Sequence, residues 1–537
     1  MSGKKSNFSK VPVSGGFSRR RFLRTAAFGS AGLALSSRLR AQSANLQRKP
    51  NLLVFLPDQL RADTVIGKAA SSVHAPNLHK LVSEAVVFER AYVTQPICAP
   101  SRSSLLSGTW PHQNGCTNNH GVLPRKFLCL PEMLGDSSYS SGYMGKWHLG
   151  DEFLPQRGFN QWASIVDSFK PVEKEHGSHG GFEHLISLFE GSRPPVSKQH
   201  DKNSDFTKFL ISKGYRPGGY GGKRFSEKVI SELPFELSRA RFVETKACEF
   251  LQRYGSAPFV LFVAFFEPHP PYNGPFNSEH PLDAIELDTT ASDMFGEEIP
   301  LRSRLRQEAY RKKLGGPDGY RRIKQNYFGL ITEIDRCIGT ILEKIKELGV
   351  ADRTITVLTS DHGDMMSAHG LLGKGLMYEQ SAAVPYVVRV PGISPRQISQ
   401  SVSHIDFAPT MLDLLGKPPH PQCSGRTRAG LIRGQPEPAN LVFLEWSPGR
   451  GVAPPNTSLG SEEEIRNCLG QSTRAIVTPD GWKLCLRDKD KNELYNLRDD
   501  PDERHNLYSD ASQGNTVKRL ANEIHLWQER VGDTLKV

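Results

Sequence analysis

The stretch Cys98-Ala99-Pro100-Ser101-Arg102, continued by Ser103-Ser104-Leu105-Leu106-Ser107-Gly108, sets a thiol four residues before a guanidinium. It reads as a loop entering a helix. Pro100 suits the first helical turn, and the hydroxyls nearby can cap orphan N–H groups. A thiol placed there feels the positive end of the helix, which also attracts anions. Taken alone, a free cysteine is more often simply buried. Other reactive types stand elsewhere in the chain: Asp58-Gln59, Lys146 and His148, His269, Asp361-His362, and Lys374. Two carboxylates with amide and imidazole neighbours suit a divalent cation. Arg102, Lys146, Lys374 and the histidines suit a tetrahedral anion.

These residues need elements to bring them together. Asn51–Leu56, Pro258–Phe266, Thr354–Ser360 and Pro385–Val390 are continuous apolar runs, the signature of strands buried on both faces. Helices are expected between them. One spans Phe242–Leu251 and another His404–Leu415. The longest, Arg321–Leu348, carries Ile331, Ile334, Ile338, Ile341 and Ile345 on one stripe. Alternating strands and helices predict an α/β fold, a mainly parallel sheet sandwiched by helices. In such folds ligands bind outside the carboxyl ends of the strands. Asp58, Lys146, His269 and Asp361 all stand at or just past such ends.

The C-terminal part changes character. Ala475–Val477, Trp482–Leu486 and Glu493–Leu497 read as short strands of a small antiparallel sheet, closed by a helix over Asn515–Arg530. The expected organisation is a catalytic domain over 49–420 and a smaller C-terminal domain over 421–537. Within the first, about 167–238 reads as a long surface insertion rich in Gly, Ser and Lys.

The formal charge of +11 suggests an anionic partner, but nine basic residues and no acid lie between Met1 and Ala41. Removing those nine leaves +2, so nothing in the balance points to nucleic acid. The segment 1–41 reads as a targeting signal. Ser18-Arg19-Arg20-Arg21-Phe22-Leu23 fits the twin-arginine pattern, followed by a short apolar run from Thr25 to Leu35 and a small-residue exit near Ala41. That run is too short for a permanent anchor, so no stable membrane insertion is expected. A periplasmic or secreted protein follows, exported folded by the twin-arginine machinery. The eight cysteines show neither CxxC nor zinc spacing; Cys468 and Cys485 could pair in an oxidising compartment.

In order along the chain, the motifs resemble the type I, formylglycine-dependent sulfatases of the alkaline phosphatase superfamily. Cys98-Ala99-Pro100-Ser101-Arg102 matches their Cys-x-Pro-x-Arg signature, and Gly145-Lys146-Trp147-His148-Leu149-Gly150 resembles a second. Asp361-His362-Gly363-Asp364, then His369-Gly370 and Lys374-Gly375, resembles their metal and lysine segment. Glu493-Leu494-Tyr495-Asn496-Leu497 with Asp500-Pro501-Asp502-Glu503 resembles their ending. The likeness runs from about Asn51 to Leu507.

The resemblance implies that a formylglycine-generating enzyme oxidises Cys98 to Cα-formylglycine. One hydroxyl of the aldehyde hydrate would attack sulfur in line and release the alcohol. The other would then lose its proton, expel sulfate and restore the aldehyde. It implies a metal, Ca2+, held by Asp58, Gln59, Asp361 and His362 together with the modified Cys98. Arg102 would fix the nucleophile and the metal surroundings. Lys146 and Lys374 would hold sulfate oxygens. His269 would protonate the leaving alkoxide, and His148 would assist the hydrate.

Two departures bear on this. Many sulfatases carry Asp-Asp where this chain has Asp58-Gln59, and Asp-Asn where it has Asp361-His362. One carboxylate fewer and one nitrogen more favour Mn2+ or another transition metal. The same pattern resembles the phosphonate monoester hydrolases, which are the alternative reading. A non-catalytic sulfoglycan-binding protein would predict a broken nucleophile, metal or lysine set, and all three sets are present. The substrate expected is a sulfate ester, with a sulfated saccharide suggested by export and by the family.

Overall fold

The structure, a computed structural model, describes residues 49–150, 157–166, 168–171, 198–202, 204–215, 230–447 and 457–537. The expected signal segment 1–41 and most of the expected insertion at 167–238 lie outside the described residues.

Eight strands form the main sheet: β1 Asn51–Phe55, β2 Val86–Phe88, β3 Ser140–Gly145, β4 Gln161–Ser164, β5 Phe259–Ala264, β6 Thr354–Thr359, β7 Tyr386–Arg389 and β8 Arg396–Ile398. Their order is β8-β2-β7-β6-β1-β5-β3-β4. Every pairing is parallel except those of β7, which runs antiparallel to β6 and β2. The central strands bury both faces, as their apolar runs require.

Alternation along β1 splits the core into two layers. Leu53 and Phe55 join one cluster with the stripe Ile331, Ile334, Ile338, Ile341 and Ile345. Leu52 and Val54 join the other with Leu105, Leu106, Met411 and Leu412. Five helices supply the layers described so far: α1 Cys98–Ser107, α2 Arg239–Tyr254, α3 Leu301–Leu314, α4 Pro317–Glu347 and α5 Phe407–Leu414. Cutting any of these isoleucines to Ala would cost about 2–5 kcal/mol through lost transfer energy and the cavity left behind. Cys337, on the same helix as the isoleucine stripe, is part of this core.

The C-terminal sheet has four antiparallel strands, one more than the apolar runs suggest: β9 Val442–Trp446, β10 Thr473–Val477, β11 Trp482–Arg487 and β12 Glu493–Asn496. The last helix, α6 Gly514–Val531, lays Leu520, Ile524 and Trp527 on it. Trp527 stacks on Phe443 at 5.0 Å and meets Trp110 edge-on at 4.9 Å. Lys483 of β11 is fully buried between Glu379 and Glu503, at 2.8 Å from each. Cys468 and Cys485 are buried free thiols, not a disulfide; they belong to different apolar clusters.

Candidate active site

Four adjacent parallel strands, β6, β1, β5 and β3, point their carboxyl ends the same way. Asp361-His362, Asp58-Gln59, Glu267–His269 and Lys146–His148 follow those ends in turn. The chain there passes through strained conformations. Gln59 has φ 74° and His148 φ 59°, values that non-glycine residues rarely adopt. At Gln59 the surroundings compensate: its N–H donates to Asp361 Oδ1 at 3.0 Å, and its carbonyl accepts from Tyr327 Oη at 2.7 Å. Gly145 has φ 118°, and a Cβ there would lie 1.9 Å from the Ala264 carbonyl oxygen. Only glycine lets β3 end this close to β5, which brings the Lys146 N–H to that same oxygen at 2.9 Å.

Helix α1 begins at Cys98 itself, after an extended Ile97. The spacing of four puts Cys98 and Arg102 on one face. The expected serine capping does not occur. Ser103 Oγ and Ser107 Oγ bond back to the carbonyls of Pro100 and Ser103, and the Ala99 N–H is met by Asn119 Oδ1 at 3.1 Å. Ser101 Oγ lies 3.2 Å from Nδ1 of His404, whose Nε2 lies 3.0 Å from Thr359 Oγ1. Burial, then nearby His362, pull His404 down to about 3, so a neutral imidazole ties α1 to the end of β6.

Arg102 is fully buried. Its Nε donates to Asp361 Oδ2 at 2.8 Å, Nη2 to Asp58 Oδ2 at 3.3 Å, and Nη1 to the Lys146 carbonyl at 2.7 Å. It therefore ties α1 to the ends of β6, β1 and β3 at once. Lys146 Nζ lies 2.5 Å from Asp58 Oδ2. Lys374 Nζ lies 2.9 Å from Cys98 Sγ and 2.8 Å from Gln59 Oε1. His362 Nε2 lies 3.2 Å from Cys98 Sγ, while its Nδ1 meets the Gly363 carbonyl at 2.9 Å. That second bond keeps a proton on Nδ1, so that Nε2 is the nitrogen left to serve the site. His148 and His269 follow the ends of β3 and β5 on the same side of the sheet, and His269 Nδ1 meets the Pro270 carbonyl at 2.7 Å.

The electrostatics follow from this crowding. Burial and the Cys98 sulfur push Asp58 up, but Lys146, His269 and Lys374 outweigh them and hold it well below the carboxylate range. Burial opposes ionisation of Cys98 too, yet Lys146, Lys374 and His362 bring the thiol well below its ordinary value. Burial, with Lys374 and Lys146, pulls His269 down to about 4. Burial, followed by the charge of Asp58, keeps Asp361 above its ordinary value despite Arg102.

All ten residues singled out from the sequence thus meet at one sheet edge. Ligand atoms of Asp58, Cys98, Asp361 and His362 lie within 4.8 Å of one another, with Gln59 Oε1 beside them. Two carboxylates, an imidazole nitrogen with its far side anchored and an amide oxygen form a mixed O/N donor set that fits a divalent cation. Three contributors escaped the sequence reading: Tyr272, Asp364 and His404. Asp364 stood within a quoted motif, three residues past Asp361; the other two gave no signal.

A sequence model of the sulfatase family matches residues 50–417. The chain belongs to the sulfatase family. It is an enzyme of the sulfuric ester hydrolase class. This sulfatase is 25% identical over 504 residues to the uncharacterized sulfatase YidJ of Escherichia coli K12, covering 91% of this chain and 89% of that one. It is 23% identical over 539 residues to an N-acetylglucosamine-6-O-sulfatase of Bacteroides thetaiotaomicron, covering 94% and 90%. Its fold matches the phosphonate monoester hydrolase from Silicibacter pomeroyi with a TM-score of 0.69 and 20% identity, covering 90% and 96%. Among the described residues of the sulfatase, no helix is long and apolar enough to cross a membrane.

Proposed function

We propose that this sulfatase hydrolyses sulfate esters of a carbohydrate, with Cys98 as the residue converted to Cα-formylglycine. The observation that supports this most is the convergence on Cys98 Sγ of Lys374 at 2.9 Å and His362 at 3.2 Å, with Asp58 Oδ1 and Lys146 Nζ each at 3.8 Å. The sulfur stands where the oxygens of the hydrated aldehyde would be. In this reading, Arg102 orients that side chain through Asp58 and Asp361. Lys146 and Lys374 bind the sulfate oxygens and offset charge in the transition state.

His269 hands a proton to the leaving oxygen. It is neutral without substrate because burial and then two facing lysines disfavour its charged form, and a bound sulfate offsets the lysine charge so that it can take up a proton. His148 draws the proton from the hydrate. Asp58, Gln59, Asp361 and His362 hold a divalent cation, Ca2+ or Mn2+. The chemistry such a cation supplies is polarisation of sulfuryl oxygens and a lowered pKa for a bound hydroxyl.

The saccharide is supported by the N-acetylglucosamine-6-O-sulfatase of Bacteroides thetaiotaomicron, which matches 94% of the chain. A formylglycine-generating enzyme and the twin-arginine machinery are the partners this reading needs, and the destination is periplasmic or secreted. The domain limits, catalytic over 49–420 and C-terminal over 421–537, belong to the same proposal. A second reading, phosphonate monoester or phosphodiester hydrolysis, is favoured by Gln59 and His362 in the donor set.

The experiment is a screen of sulfated saccharides with liberated sulfate measured, using protein whose Cys98 conversion is established by peptide mass spectrometry. Sulfate release from at least one saccharide is expected. Fast hydrolysis of phosphonate monoesters with negligible release from every sugar and aryl sulfate would move the assignment to the second reading.

A further inference from the structure

Gln59 is an unusual donor because only one end of its amide can face a cation. Two neighbours with opposite demands settle which end. On one side stands Lys374, whose ammonium can only donate, and its Nζ lies 2.8 Å from Gln59 Oε1. On the other side stands Asp364, fully buried, whose Oδ2 accepts from Gln59 Nε2. Asp364 is held as an acceptor by its remaining partners. Its Oδ1 takes the N–H groups of Met366 and Gly373, each at 2.8 Å, and its Oδ2 also takes the hydroxyl of Tyr272. Tyr272 Oη in turn accepts from Gln59 Nε2 at 3.0 Å.

We propose that Asp364, assisted by Tyr272, is a positioning residue for Gln59: it holds the amide so that the carbonyl oxygen, not the NH2, faces Lys374, Cys98 and the cation position. The inference rests on the metal reading given above. A carboxylate at position 59 would need no such support, since both its oxygens can bind a cation. Glutamine does, and a flipped amide would aim two N–H bonds at the metal.

The test is cation binding to the mature chain, measured by calorimetry with Ca2+ and with Mn2+ after chelation, and separately from activity. In Asp364→Asn the Met366 and Gly373 amides still claim the oxygen of the new side chain. Its NH2 then faces Gln59 and draws Oε1 away from the site. Affinity should fall about 10- to 100-fold, the range typical for lost support of a metal ligand. Gln59→Glu alone sets a carboxylate against Asp364 and should also bind poorly.

The double variant Gln59→Glu/Asp364→Asn restores a donor–acceptor match and should recover most of the affinity, which a merely structural role for Asp364 does not predict. An unchanged affinity in Asp364→Asn, or a double variant no better than the single one, overturns the proposal. Wild-type protein that binds neither ion overturns the metal reading and this inference with it.

Discussion

The ammonium of Lys374 lies 2.9 Å from the sulfur of Cys98, although the two are 276 residues apart. Its main chain is held from behind, where Arg306 of α3 donates to the Lys374 carbonyl at 2.7 Å and to the Leu372 carbonyl at 3.0 Å. A charge fixed this way needs little reorganisation when negative charge develops beside it. Replacing Lys374 by Met should lower kcat/KM about 10²- to 10³-fold while Cys98 conversion stays intact. Steady-state kinetics with peptide mass spectrometry of the same samples checks this. A loss of less than about threefold would remove Lys374 from the proposed anion site.

Cys98→Ser separates the two halves of the proposed reaction. A serine hydroxyl can attack sulfur but has no second hydroxyl with which to expel sulfate. The variant should release one equivalent of alcohol and then stop, with a sulfo group retained on the peptide that contains position 98. Cys98→Ala should release none. Continuous turnover by either variant contradicts the assignment of Cys98.

Arg102 neutralises two fully buried carboxylates, so its removal should be felt in stability as well as rate. Arg102→Leu leaves Asp58 and Asp361 buried with one cation fewer, which should cost about 3–5 kcal/mol by urea unfolding. Arg102→Lys keeps a charge but cannot serve both carboxylates and the Lys146 carbonyl, so most of the loss should remain. A lysine variant as stable as wild type would show that the fork of hydrogen bonds matters little.

A pH effect is expected at the contact between α1's following turn and β9. His112 Nδ1 lies 2.5 Å from Glu445 Oε2, and the fully buried Glu445 also accepts the His112 N–H at 2.9 Å. Burial opposes the charged imidazole, but Glu445 outweighs it and raises His112 above its ordinary 6.5. A raised folded value stabilises fully below 6.5 and loses that contribution as pH climbs through the folded value. His112→Gln should therefore lower the melting temperature more at about pH 5.5 than at about pH 9. An equal deficit at both would mean that the contact acts without its charge.

How much of this could be read in advance differs by element. Asn51–Phe55 and Thr354–Thr359 were legible because a strand buried on both faces has to be apolar throughout. The same property hid the direction of Tyr386–Arg389: a continuous run reads alike in a parallel or an antiparallel neighbour. Leu301–Leu314 gave no apolar stripe, since Arg306 and Gln307 point into the protein to hold carbonyls rather than to fill a core. The residues of the candidate site were legible because charged types at strand ends are conspicuous. Tyr272 and Asp364 were not, because their roles exist only through Gln59, more than 200 residues from either.

The burial of Cys98 also sets an order in time. The residue is 1% exposed, sealed beneath Lys374, His362 and the start of its own helix. An oxidising enzyme has to grip the backbone on both sides of Cys98 and reach the β-carbon, whereas a substrate has to bring in only its sulfate group. The proposed conversion therefore belongs to the nascent or still-open chain. If the protein then crosses the membrane already folded, as Arg19-Arg20-Arg21 suggests, the cysteine has one window in its life to become a nucleophile. A molecule that closes too early leaves the cell sealed and inert.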